Sequence, residues 1–187
     1  PFGFGQAIFF DGVSDHQVAL PDDVATGVEG AEAITMLVWA RRASVAGVVD
    51  LLTTSVSGTS RKYRVRLSAT GQIQIGGRSI SSDSFQELVS TATVTDTDNY
   101  HQFGGILDAE SDTISVILDG AIIETAAATF GVTKFTGETG TSHRIGRALS
   151  GAGRFHGDIS SVQVHRGALS ATEILRHYDL GKTGVFT

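Results

Sequence analysis

Asp108, Glu110 and Asp112 sit at alternate positions, a spacing that could do chemistry. On a strand they would share one face, and paired carboxylates can supply the nucleophile and general acid of glycoside hydrolysis. The residues between them, Ala109, Ser111 and Thr113, are too small or polar to bury such a strand. The segment therefore reads as a solvated turn, and no catalytic residue is assigned. A second set is basic. Lys62, Arg64 and Arg66 alternate, Arg61 stands beside them, and Arg41 and Arg42 follow the single tryptophan, Trp39. They form either the outer face of a half-exposed strand or a docking stripe for an acidic partner or glycan. The six histidines, His16, His101, His143, His156, His165 and His177, show no metal-ligand spacing and read as ordinary polar positions. Aromatic residues make up 7%, and no Trp or Tyr cluster for stacking sugars is visible.

The elements that must position these groups are β-strands. At 187 residues the chain can bury a sizeable core as one domain. Glycine is abundant, 23 residues against a usual share of roughly 7%. With only two prolines, glycine must supply most turns. A net charge of −6 argues against general nucleic-acid binding, which needs a basic surface. The absence of cysteine excludes disulfides and thiolate metal sites. No apolar run approaches a membrane span, so membrane insertion is not expected. The opening PFGFGQAIFF lacks the basic flank of a signal peptide, which favours a chain made in the cytosol and not exported by the usual route.

About twelve short strands are expected. Tyr63, Val65 and Leu67 alternate with the basic residues, and Gly71 turns the chain into Gln72–Ile75. Ile34–Ala40 is the most apolar run and should be central; Asp119-Gly120 marks another hairpin. Helical periodicity occurs only at Ser170–Tyr178, where Ile174, Leu175 and Tyr178 share a face that should pack near a sandwich end. Ser170 and Glu173 have capping-box spacing, and Gly181 reads as the stop. The expected fold is all-β, a two-sheet antiparallel jelly-roll sandwich with one short C-terminal helix. Residues 7–180 form the domain, with tails at 1–6 and 181–187. Phe2 and Phe4 either cap the sandwich or insert into a neighbouring subunit.

The order of segments resembles the laminin G-like domains of the concanavalin A-like lectin/glucanase superfamily. IFFDGVSDHQVALP is similar to the opening of that family, ITMLVWARR to its tryptophan-bearing strand and NYHQFGGILDAESDTISVILDG to its long hairpin. HRIGRALSGAGRFHGDISSVQVHRGALSATEI resembles the closing block and is the most specific of the four. The resemblance implies two antiparallel sheets but no single activity. It also implies a structural calcium held by oxygen ligands near the first turn and the closing strand. Asp11 and Asp15 match the first block. In the second, Ser160 and Ser161 replace the usual acids, and Asp158 is displaced by two positions on the same strand face. No other cofactor is implied.

The function expected first is a non-catalytic structural or interaction protein that uses the jelly roll as a docking platform. Free-standing domains of this type occur among bacteriophage virion proteins, as capsid decorations, head fibres or tail components. Its partners would then be other virion proteins or copies of itself, and its location the virion. The alternative is an extracellular carbohydrate-binding, lectin-like adhesion module with a surface glycan as partner; a glycoside hydrolase ranks last.

Overall fold

The computed structural model describes residues 7–20, 27–57, 60–136, 143–148 and 153–183. Twelve strands precede one helix: β1 (Ile8–Asp11), β2 (Val18–Leu20), β3 (Ala33–Arg42), β4 (Val49–Ser57), β5 (Ser60–Leu67) and β6 (Gln72–Gly77). They continue as β7 (Gln86–Thr93), β8 (His101–Asp108), β9 (Thr113–Leu118), β10 (Ala121–Ala127), β11 (His143–Ile145) and β12 (His156–Arg166), followed by α1 (Ala171–Thr183). The strands form two six-stranded antiparallel sheets. The first has the order β1-β12-β3-β8-β9-β10 and the second β2-β11-β4-β5-β6-β7. This is the expected jelly-roll sandwich. Among the described residues no helix is long and apolar enough to cross a membrane. Phe2 and Phe4 lie outside the described residues.

The two inner faces follow the period of two. Ile34, Met36, Val38 and Ala40 on β3 meet Tyr63, Val65 and Leu67 on β5 and Ile73 and Ile75 on β6 in one core. β3 is apolar on both faces because its outer face is covered too. There Leu37, Ile106 and Ile117 make a second cluster with Ile174 of α1. The helix thus lies across the outside of the first sheet rather than at a sandwich end. Its start is a capping box: the Ser170 amide donates to Glu173 Oε2 at 2.8 Å and the Glu173 amide to Ser170 Oγ at 3.3 Å.

Two expectations for the helix need correction. Leu175 does not join the packed face and is 50% exposed. Gly181 does not stop the helix, which continues to Thr183. Gly181 is instead a close-approach residue, since a Cβ there would fall 2.6 Å from Trp39 Cζ2. Trp39 is stacked on Tyr178 with ring centroids 5.2 Å apart. Only a glycine next along the helix leaves room for that indole.

The same interface carries a pH-dependent contact. His177 of α1 meets His165 of β12 edge-on, with ring centroids 4.8 Å apart, and His165 Nε2 lies 3.2 Å from Gln163 Oε1. Burial, with the neighbouring His177 as a second cause, lowers the His165 pKa below 6.5, and Glu173 only partly opposes this. A group whose folded pKa is depressed stabilises the fold above its unfolded value and loses that contribution as pH falls. Trp39 fluorescence should therefore change as α1 loosens when the pH falls below about 6.5. His177→Gln should reduce that response and leave the part due to burial.

Candidate functional site

The outer faces of the two sheets differ in kind. That of the first carries the apolar cluster beneath α1, whereas that of the second is mostly polar. Pairing register puts its outward residues in two rows. Asp50 of β4, Arg66 of β5, Gln74 of β6 and Val89 of β7 form the first. Ala19 of β2, Arg144 of β11, Thr53 of β4, Arg64 of β5, Gly76 of β6 and Glu87 of β7 form the second. From β4 to β7 each row spans about 14 Å at the usual strand spacing.

The rows have a buried floor and an accessible rim. Asp50, Thr53 and Arg64 are buried, Arg66 and Gln74 are half-buried, and Glu87 is exposed. Arg66 Nε donates to Asp50 Oδ1, which fixes the guanidinium plane while its two terminal nitrogens keep no partner among the described residues. Arg64 donates through Nε and one terminal nitrogen to Glu87 Oε1 and lies 5.1 Å from the centre of the Phe85 ring. Asp50 Oδ2 and Thr53 Oγ1 are buried and have no hydrogen-bond partner among the described residues, as does Ser55 Oγ farther along β4. Such atoms are costly, about 1–3 kcal/mol each, and their concentration on one strand needs a reason.

Half-buried Phe85 borders this face, at the end of the segment that follows β6. Asp83 anchors that segment by accepting from Ser79 Oγ at 2.7 Å and from the Gly131 amide at 2.9 Å. Burial works to raise the Asp83 pKa, yet these hydrogen bonds win and hold the carboxyl below its usual range.

The basic stripe is only partly what its spacing implied. Both expected forms, an exposed outer face and a docking stripe, required Lys62, Arg64 and Arg66 to stand free. Lys62 is instead fully buried, its Nζ donating to the Ser79 carbonyl at 2.8 Å and to Thr136 Oγ1 at 3.1 Å. Arg64 is committed to Glu87. Of these three, half-buried Arg66 keeps both terminal nitrogens without a partner among the described residues, and the side chain of Arg61 lies outside them. Alternation alone could not reveal that the connections after β6 and β10 fold over one end of the strand. Nor did it mark Asp50, Thr53, Gln74, Phe85 or Glu87, which reach the site only through cross-strand register.

The structure does not gather Asp11, Asp15 and Asp158 into a metal site. Among the described residues no three His, Cys, Asp or Glu side chains are placed to hold a metal. Asp11 closes its own turn, with Oδ1 accepting from the Val13 and Ser14 amides. Those bonds, led by one with the Ser14 side chain, bring its pKa to about 2. Asp15 contacts Arg147 and Arg154, and Asp158 accepts from Arg41 Nη2 at 2.6 Å. A calcium ion would have to displace these partners, so the donor set does not fit it. Chelator and added calcium should accordingly leave the thermal unfolding midpoint unchanged.

Asp108 ends β8, and Glu110 and Asp112 fall in the turn that leads to β9, so the three do not lie along one strand. Asp108 Oδ1 accepts from the Glu110 and Ser111 amides, and Asp112 Oδ1 from the Phe130 amide. Two of the three carboxylates are thus turn and loop fasteners.

Solved structures with this fold include the CBM40 module of the Ruminococcus gnavus IT-sialidase bound to α2,3-sialyllactose. It is 18% identical with a TM-score of 0.69, covering 93% of this chain and 97% of that one. The heptameric SAP-like pentraxin of Limulus polyphemus is 12% identical with a TM-score of 0.63, covering 90% and 79%. A leech intramolecular trans-sialidase is 19% identical with a TM-score of 0.65; the match covers 96% of this chain but 29% of that protein. No curated protein matches the sequence significantly. The laminin G-like family model described as the concanavalin A-like lectin/glucanases superfamily matches residues 11–175, and the chain belongs to that family.

Proposed function

We propose that the chain is a non-catalytic carbohydrate-binding module that receives a glycan on the polar outer face of its second sheet. The observation that carries the reading is Arg66. Its guanidinium is locked from behind by buried Asp50, and its terminal nitrogens, beside Gln74, have no partner among the described residues. A sugar hydroxyl both donates and accepts, so it matches a surface where guanidinium and amide donors alternate with carboxylate and amide acceptors. Phe85 at the border offers an apolar surface for the carbon face of a ring. Because the floor is fixed by ion pairs and strand register, little side-chain freedom is lost when a ligand arrives.

The relatives in three dimensions support this reading, since one of them is a carbohydrate-binding module with an oligosaccharide bound. That Glu110 and Asp112 sit in a turn, and not beside Asp108 along one strand face, supports binding without cleavage. A glycan is met outside a cell or on a surface, and that is where such a module would work. The virion placement draws no support from the geometry or from these relatives.

The experiment is a glycan array probed with the labelled chain. Saturable binding to a defined set of glycans, competed by the free sugar, is the expected result. A blank array across neutral and acidic glycans would overturn the reading.

A further inference from the structure

We propose that Arg147 and Arg154 form a subsite for the carboxylate of an acidic sugar, with Asp15 as a displaceable stand-in for that carboxylate. The inference rests on the glycan reading and adds the class of ligand to it.

The two arginines face each other across an antiparallel bridge between the segment after β11 and the one before β12. Their guanidinium groups converge on one oxygen. Asp15 Oδ1 accepts from Arg154 Nε at 3.2 Å and Nη2 at 2.8 Å, and lies 3.2 Å from Arg147 Nη2. Three nitrogens thus crowd a single oxygen, and Asp15 Oδ2 takes none of them. Arg147 Nε is buried and has no partner among the described residues. Two cations therefore hold one anion with donor capacity left over, which is the stoichiometry of an anion site only partly filled.

Burial says which partner is fixed and which can leave. The Arg147 side chain is 15% exposed, whereas that of Asp15 is 64% exposed. The cation belongs to the fold; the carboxylate lies on a surface loop between β1 and β2. A planar carboxylate with two accessible oxygens would match the paired guanidinium forks better than one shared oxygen does. The position also fits the proposed ligand. Arg147 follows Arg144 of the second polar row by three residues, a span of at most about 10 Å of chain. By chain length the pair lies near the Arg144 end of that row.

Calorimetric titration with α2,3-sialyllactose and with lactose tests the proposal. The chain should bind the acidic trisaccharide roughly tenfold more tightly than lactose, the effect of one charge-assisted pair. Asp15→Asn should tighten sialyllactose several-fold and leave lactose unchanged, because it removes the competing charge. Arg154→Gln, at a partly exposed position, should erase the difference between the two sugars. Asp15→Ser provides a second variant should the asparagine hold the arginines by hydrogen bonds. Equal affinity for both sugars in the parent chain, or unchanged sialyllactose affinity in both Asp15 variants, would overturn the subsite while leaving the module intact. Failure of both sugars on an otherwise blank array would instead remove the glycan reading and the subsite with it.

Discussion

Arg66→Lys is expected to weaken glycan binding by roughly tenfold to a hundredfold, about 1.4–3 kcal/mol, while leaving the unfolding midpoint close to that of the parent. Lysine keeps the positive charge beside buried Asp50 and so preserves the ion pair. What it lacks is the planar fork whose terminal nitrogens reach the ligand after Nε has engaged the carboxylate. Arg66→Ala makes the contrast. Asp50 is wholly buried, and removing its cation leaves an unpaired charge that costs about 3–5 kcal/mol. The alanine variant should therefore lose stability and binding together, and the lysine variant binding alone. Titration beside thermal unfolding separates the two. If lysine binds the array glycans as the parent does, Arg66 is a structural residue and the polar face is not the site.

Gly157→Ala should be among the most destabilising single changes in the chain, at about 2–4 kcal/mol. Gly157, the second residue of β12, has φ +142°, a conformation that L side chains rarely adopt. It pairs with both Phe10 of β1 and Arg42 of β3. A Cβ there would lie 2.9 Å from the Ala43 amide nitrogen and closer still to the Arg41 carbonyl oxygen. Neither is the flexible end of a side chain, so the β12–β3 seam must part to relieve the clash. The neighbouring Arg41–Asp158 pair would be disturbed with it. At the usual relation between stability and melting for a domain of this size, the midpoint should fall by roughly 5–15 °C. A shift of less than a degree would show that the backbone accommodates the methyl group.

The sandwich was legible in the sequence because its causes are local. Alternation at Tyr63, Val65 and Leu67, the Asp119-Gly120 turn, and the Ser170 and Glu173 cap depend on neighbours within a few positions. The capping box stands in the structure as its spacing implied. The face of the helix was less legible. Leu175 shares the apolar period with Ile174 but points away, and Gly181 carries the pattern of a stop while serving as the bed for Trp39. Both depend on where the helix lands on the first sheet, against Trp39 and Leu37 from a distant part of the chain.

The candidate site shows the same division. Composition and periodicity carried an acidic, cysteine-free two-sheet sandwich and the alternation that directs Lys62, Arg64 and Arg66 to one side of β5. Packing between distant segments buries Lys62, spends Arg64 on Glu87, and sets Arg66 against Asp50 with nitrogens to spare. It likewise turned Asp15 from an expected calcium ligand into the partner of two arginines. Which face a side chain takes follows from a period of two along one strand. What it meets there follows from register between strands far apart in the chain, and no local pattern encodes that.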